Sequence, residues 1–246
     1  MDKNIIVTGG ANGIGKVLVE KLVNEKANVG VLDNNQSALN TLKSEFPNIY
    51  CEVCDISNYE QVESAVNNFY EKFNSIDILV NNAGFVYNAP LISFGKSGLI
   101  KHDTKMWDKV IHTDLNSVFY LTVNVVEKMI LKRTKGLIVN VSSISAAGNI
   151  GQSAYSAAKA GVNALTYLWS QELSNFSIRV AGIAPGFTNT ETTINSMAKP
   201  IINEWTKKIP TRRFGEPAEI ADGILFIIKN DFFNGKVLEI DGGARI

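Results

Sequence analysis

Short apolar runs alternate with longer stretches of helical period along the whole chain. Residues 4–8 (NIIVT) are a continuous apolar run ending at Gly9-Gly10, the pattern of a buried strand that closes in a tight turn. Residues 14–26 then place Ile14, Val17, Leu18 and Leu22 on one face, which predicts an amphipathic helix. The alternation continues with a strand over 28–33, a helix over 36–45, a strand over 49–53 and a helix over 60–73. A strand over 76–80 runs into Asn81-Asn82-Ala83-Gly84, and a long loop over 85–103 follows. Next come a helix across 105–132, in one piece or two, and a strand over 136–142. A helix over 154–173 leads to a strand over 178–183 that is closed by Pro185-Gly186. The last pair is a helix over 217–228, with Pro217 in its first turn, and a strand over 236–240. Near-continuous apolar strands alternating with helices predict a seven-stranded parallel sheet covered on both faces. The chain reads as a single doubly wound α/β domain over 1–246.

Composition narrows the partners. The 246 residues carry 24 basic and 24 acidic side chains, a formal net charge of zero. That balance excludes a broadly basic nucleic-acid surface and gives no reason to expect membrane attraction. No apolar run approaches the ~18 residues of a membrane span. The N-terminal residues run straight into the first strand, leaving no room for a secretory leader. Two cysteines cannot build a disulfide framework, so a cytoplasmic protein is expected. Cys51 and Cys54 form a C-x-x-C without the second pair that a zinc site needs; they read as buried thiols, and no metal is expected.

The first strand–turn–helix carries TGGANGIG at 8–15. Glycines at 9, 13 and 15 let the backbone turn tightly and approach a pyrophosphate at a helix N-terminus. Asn12 and Ile14 share that turn, and together these residues read as the phosphate end of a Rossmann fold. Asp33 ends the second strand, where a carboxylate accepts from both ribose hydroxyls of an adenosine and repels a 2′-phosphate. No Arg or Lys lies at 34–36, and Lys16 is the nearest cation, so NAD is favoured over NADP. Asp55 and Ile56 are placed to meet the adenine, with a helix cap the alternative role for Asp55.

The sharpest feature is Tyr155-Ser156-Ala157-Ala158-Lys159 within a helical segment. Residues i and i+4 share a helix face, so phenol and ammonium converge. A cation there favours phenolate and draws the phenol towards working pH, as a general acid/base requires. Ser142-Ser143 ends the preceding strand, where open α/β sheets place their ligands.

With these motifs in order, the chain resembles the short-chain dehydrogenase/reductase family over essentially its whole length. The motifs are TGGANGIG (8–15), Asp33, Asp55, NNAG (81–84), VSS…YSAAK (141–159), APGFTNT (184–190), RRFGEPAEIA (212–221) and VLEIDGGARI (237–246). The resemblance implies hydride transfer between a nicotinamide and a carbinol or carbonyl carbon. Tyr155 would handle the hydroxyl proton and Ser143 would orient the substrate oxygen. Lys159 would hold the nicotinamide ribose and lower the Tyr155 pKa. Asn82, Ala83 and Gly84 would line the adenosine and ribose side, with Pro185, Gly186, Thr188 and Thr190 around the carboxamide. Family members of this length commonly form homotetramers or homodimers through the helices flanking the fifth strand.

Three departures matter. The family's fourth catalytic residue is an Asn; the register set by Trp107-Asp108 and Val118-Phe119 puts Asp114 in that slot, adding negative charge near the Tyr and predicting a higher pH optimum. Ser143 lies 12 residues before Tyr155 where 13 is usual, and Ser142 has the usual spacing; Ser143 is preferred on the strand register. The loop at 85–103 is longer than usual and is read as either a pocket wall or a surface excursion.

Residues 188–209 correspond to the family's mobile substrate loop, with Ile194, Met197, Ile201, Ile202 and Trp205 as its apolar wall. The leading expectation is an NAD-dependent enzyme interconverting a secondary alcohol and a ketone. The alternatives are a 3-oxoacyl thioester reductase, which would more commonly use NADPH, and a nucleotide sensor that has lost turnover. Phe176 stands where reductases of carrier-protein thioesters usually have a basic residue, although Lys132, Arg133 and Lys135 lie nearby.

Overall fold

Residues 1–96, 98–197 and 199–245 are described by the computed structural model. Ser97 of the long loop, Ala198 of the substrate segment and Ile246 of the C-terminal motif lie outside the described residues. In chain order the first half runs β1 (Asn4–Thr8), α1 (Gly13–Asn24), β2 (Asn28–Asp33), α2 (Gln36–Glu45), β3 (Tyr50–Val53), α3 (Tyr59–Phe73) and β4 (Ile78–Asn81). A hairpin, β5 (Ile92–Gly95) and β6 (Gly98–Lys101), precedes α4 (Thr104–Ile111) and α5 (Ser117–Lys132). The second half continues with β7 (Leu137–Val141), α6 (Ser153–Glu172), β8 (Arg179–Pro185), α7 (Glu191–Ser196), α8 (Lys199–Lys208), α9 (Pro217–Lys229) and β9 (Val237–Ile240).

The main sheet has seven strands in the order β3-β2-β1-β4-β7-β8-β9, every neighbouring pair parallel. The two-residue period of a strand divides its apolar side chains between the faces. Ile5 and Val7 of β1 pack with Leu18, Val19 and Leu22 of α1 and Ile220, Ile224 and Ile227 of α9. Ile6 between them faces the other layer, with Val62, Val66 and Phe69 of α3, Leu121 and Val125 of α5, and Val162 of α6. Because both faces are covered, the central strands are apolar at most positions, with Asn81 of β4 and Asn140 of β7 buried and hydrogen-bonded to each other.

The sequence is reversed in space between β1 and β4. Chain order runs outward to β3 on one side and to β9 on the other, which opens a crevice at the carboxyl ends of the strands. Two of the predicted strands match in full, and the boundaries of the others shift by at most two residues. The larger differences lie in two places. The loop at 85–103 contains the β5–β6 antiparallel hairpin, which the sequence pattern does not signal because its apolar side chains are exposed on both strands. The long predicted helix divides at a π-helical turn, His112–Asn116, between α4 and α5. Such turns admit one extra residue, so the side chains before and after them are re-aimed relative to a continuous α-helix.

Candidate active site

A cleft of about 1410 Å³ occupies the crevice above β1, β4, β7 and β8. Gly9, Asn12, Gly13 and Ile14 line one end together with Asp33, Asp55 and Ile56; Asn82, Ala83, Gly84, Tyr155 and Lys159 lie along it; Pro185, Gly186, Thr188 and Thr190 close the other side. The folded chain thus brings most of the predicted residues to one cavity; Gly15, Asp114 and Ser143 do not line it.

The β1–α1 turn is shaped by contacts of its own backbone. Gly9 has φ +61°, and a Cβ there would fall 2.9 Å from Ala83 Cα. Only glycine combines that conformation with that approach. Gly15 lies behind the turn, buried, where a Cβ would meet the Gly9 carbonyl oxygen at 2.2 Å. Its function is close packing of α1 on the turn, which leaves the N-terminal end of α1 open to the cleft. The segment at 81–84 is tied to the same turn: Asn82 Nδ2 donates to the Thr8 and Gly9 carbonyls at 2.9 and 3.1 Å. The Asn82 and Ala83 amides both donate to Thr8 Oγ1. Thr8 is a positioning residue that sequence reasoning passed over; its place at the end of an apolar strand was the signal.

Asp33 is half-buried, and its carboxylate accepts from the Ala11 amide at 3.2 Å and the Asn35 amide at 3.0 Å. These bonds fix a negative charge at the cleft wall. Lys16, the nearest cation by sequence, is engaged with Glu45 at 2.8 Å. Asp55 Oδ1 accepts from the Ser57 amide and hydroxyl. It does not cap the next helix; Asn58 does, accepting from the Gln61 amide at 2.9 Å. Cys51 and Cys54 are free thiols, and burial, joined by Glu52 and Asp55 nearby, pushes Cys54 up to about 12.

The reactive end is assembled from three elements. Tyr155 and Lys159 come from the first two turns of α6, with the Lys159 ammonium 5.5 Å from the Tyr155 ring centre. Lys159 is buried and donates to the Val141 carbonyl at 3.0 Å. Its ammonium also lies 3.4 Å from Asp114 Oδ2. Asp114 comes from the π-helical turn and is completely buried, its Oδ1 accepting from the Phe85 amide at 2.7 Å. Of the two serines, Ser142 is buried, and its hydroxyl donates to the Lys159 carbonyl at 3.3 Å. Ser143 Oγ accepts from the Ser145 amide at 3.1 Å and is near enough to the Tyr155 phenol to lower its pKa. Ser142 lines the cleft, and the 3₁₀ turn at Ile144–Ala147 follows Ser143.

One expectation is corrected. The spacing of Tyr155 and Lys159 predicts a phenol drawn towards neutrality, yet the Tyr155 pKa lies above its ordinary value. Burial raises it, the Lys159 charge pulls it down, and Asp114 pushes it up again. Burial also works against the Lys159 ammonium, but Asp114 and Tyr155 hold its pKa above the usual value. For Asp114, burial outweighs Lys159 and the Phe85 amide, so its carboxyl sits higher than normal.

The far wall is apolar and aromatic. Phe187 stands against Trp205 of α8 with ring centres 4.6 Å apart and against Phe214 at 5.4 Å. Met197, Ile201, Ile144 and Ile150 line the same cavity. Of the predicted wall, Met197, Ile201 and Trp205 line the cleft, whereas Ile194 is exposed and Ile202 packs behind with Ile209 and Phe214; Phe187 was not singled out, although it stands inside the motif at 184–190. Phe176, Lys132, Arg133 and Lys135 all precede strands β7 and β8, at the sheet end opposite the cleft. Within one chain they do not bear on the substrate.

A doubly wound sheet, glycine-shaped turn and Tyr–Lys–Ser cluster in one crevice define a dinucleotide-dependent oxidoreductase. The chain belongs to the short-chain dehydrogenase/reductase family, and the short chain dehydrogenase model matches residues 3–200. It is 36% identical to the 3-oxoacyl-(acyl-carrier-protein) reductase FabG of Chlamydia trachomatis over 99% of this chain and 97% of that protein. The FabG of Thermotoga maritima is also 36% identical, over 99% and 98%. The crystal structure of levodione reductase superposes with a TM-score of 0.89 at 31% identity, covering 99% of this chain and 97% of that one. Among the described residues no helix is long and apolar enough to cross a membrane.

Proposed function

We propose that this chain reduces the 3-keto group of 3-oxoacyl thioesters to a secondary alcohol, using NADH in preference to NADPH. The substrate class rests on end-to-end similarity to 3-oxoacyl-(acyl-carrier-protein) reductases, which places the thioester alternative ahead of the simple ketone. The cofactor preference rests on Asp33. A 2′-phosphate would meet a carboxylate held by two backbone amides, and Lys16 is committed to Glu45.

The residues present fit a nicotinamide dinucleotide. The bare turn at Gly9, the N-terminal end of α1 and the Asp33 carboxylate provide a pyrophosphate seat and a ribose acceptor in one cleft. Bound there, the cofactor supplies hydride to the carbonyl carbon. Ser143 and Tyr155 hold the carbonyl oxygen, and Tyr155 donates its proton to that oxygen as the alcohol forms. Lys159 has three N–H donors; one goes to the Val141 carbonyl and the ammonium pairs by charge with Asp114 at 3.4 Å, which leaves donor capacity for the ribose. Phe187 and Trp205 exclude water and pack the acyl portion.

A second reading, interconversion of a small free ketone and a secondary alcohol with NAD(H), is favoured by the apolar and aromatic wall. Both readings carry the expectation of a cytoplasmic homodimer or homotetramer. The outward faces of α5 and α6, where Phe119, Val123, Tyr167 and Leu168 are exposed, support self-association. The deciding experiment is a panel of 3-oxoacyl thioesters, on coenzyme A and on carrier protein, and small ketones, each with NADH and NADPH. Turnover is followed at the nicotinamide absorbance. Thioester reduction with NADH is the expected result, and turnover of ketones alone would transfer the assignment to the second reading. Strong NADPH preference would overturn the Asp33 argument, and nucleotide binding without turnover would favour a sensor.

A further inference from the structure

The family's neutral Asn slot holds a carboxylate in this chain, and the folded geometry shows where its charge acts. Asp114 has no exposed surface, and its Oδ2 has Lys159 Nζ 3.4 Å away and no other partner within hydrogen-bonding geometry. Gly84 leaves the room for that oxygen, since a Cβ there would lie 3.0 Å from it. Among the described residues, the cation that bears on Tyr155 is therefore half of a buried ion pair. An ammonium and a carboxylate side by side present a dipole to the phenol rather than a net charge, and the field of a dipole falls off faster with distance.

We propose that Asp114 sets the pH at which Tyr155 changes between phenol and tyrosinate, by cancelling the field with which Lys159 would otherwise draw the proton off Tyr155. Reduction uses the phenol: hydride adds to the carbonyl carbon, the carbonyl oxygen takes the phenolic proton, and the tyrosinate recovers a proton from solvent. Oxidation uses the other form, a tyrosinate that accepts the alcohol proton as hydride departs. With Tyr155 kept as phenol at neutral pH, the tyrosinate that oxidation requires accumulates only at higher pH, so the acid limb of the oxidation profile is displaced upward. The proposal deepens the family assignment and rests on Tyr155 being the proton donor in either substrate reading.

Other titratable groups near this site do not supply the same control. Lys105, Asp108 and Lys109 of α4 and His112 of the π-helical turn line the cleft, and Lys109 lies over the Phe85 ring at 4.3 Å. Tyr87 packs in the same small cluster as Tyr155 and stands edge-on to His102 at 5.4 Å. The charges that bear on Tyr155 are Lys159 and Asp114.

Asp114→Asn tests this directly, because the amide keeps an oxygen for the Phe85 amide and removes only the charge. The acid limb of the oxidation profile (kcat/KM against pH) should move down by about one pH unit. Oxidation at neutral pH should then rise, by up to roughly tenfold. A second readout needs neither cofactor nor substrate. Ultraviolet titration of tyrosinate, taken as the difference between the wild-type apoprotein and Tyr155→Phe, isolates Tyr155. The wild-type midpoint should lie above the ordinary value of about 10, and in Asp114→Asn it should fall. A wild-type midpoint below that value, or an unmoved midpoint in a folded Asp114→Asn protein, would overturn the proposal. Because the titration requires no turnover, it stands even if every substrate of the panel fails.

Discussion

Two carboxylates mark the two ends of this molecule's chemistry, and they are held in opposite ways. Asp33 is half-buried at the cleft wall, and both of its oxygens accept from backbone amides, with water and ligand within reach. Asp114 is sealed beneath the site, bound to one amide and to an ammonium as buried as itself. In the proposed function the first charge would recognise a ligand, and its removal would leave a rim that water can repair. The second governs other residues, and neither it nor Lys159 can be removed without leaving its partner stranded in low dielectric. Recognition tolerates solvent; proton control requires its exclusion.

The largest effect should come from the group between these two ends. Tyr155→Phe removes the proton donor and leaves the ring that packs with Val110 and Ala154. Turnover should fall by about a thousandfold, within the 10²–10⁴ range of general acid–base catalysis. Cofactor affinity, measured by fluorescence titration, should change little. Retained turnover would remove Tyr155 from the mechanism and, with it, the contrast between the two carboxylates.

Lys159→Met comes next and separates the ends by stability. It strands the Asp114 carboxylate, so urea unfolding should show a loss of about 3–5 kcal/mol. Asp114→Asn in the Lys159→Met background should recover part of that loss, because the stranded charge disappears. Equal stability of the single and double variants would mean that Asp114 carries no charge in the folded protein.

How much of this was legible beforehand follows the same division. The order of strands and helices could be read from apolar runs, because a strand buried on both faces has few polar positions to confuse the pattern. Asp33 could be placed by counting from the glycine turn, and Tyr155 with Lys159 by helical spacing. What the pattern withheld depends on depth and on local backbone. The direction of the Tyr155 shift is set chiefly by burial, which spacing does not encode. Ser143 was preferred over Ser142 on the strand register alone, against a residue count to Tyr155 that favours Ser142. The β5–β6 hairpin escaped because Leu91, Phe94 and Leu99 face solvent, so no buried face imposes alternation there. The π-helical turn at His112–Asn116 has no composition of its own, and it is what delivers Asp114 to Lys159.

The smallest effect should be at Asp33, and it should be one of kind rather than size. Asp33→Asn keeps an acceptor for one of the two amides and removes the charge. Its exposed position and lack of a charged partner predict a stability change within about 1 kcal/mol, far below that of Lys159→Met. Cofactor preference, taken as the ratio of kcat/KM with NADH to that with NADPH, should instead shift towards NADPH by about tenfold, or roughly 1.4 kcal/mol. A full reversal is not expected, because Lys16 remains paired with Glu45 and no new cation is introduced for the phosphate. Adding Glu45→Gln to free Lys16 should carry the shift further. If Asp33→Asn cost as much stability as Lys159→Met and left the ratio unmoved, Asp33 would be a structural anchor of the β1–α1 turn. The two carboxylates would then differ in burial but not in purpose.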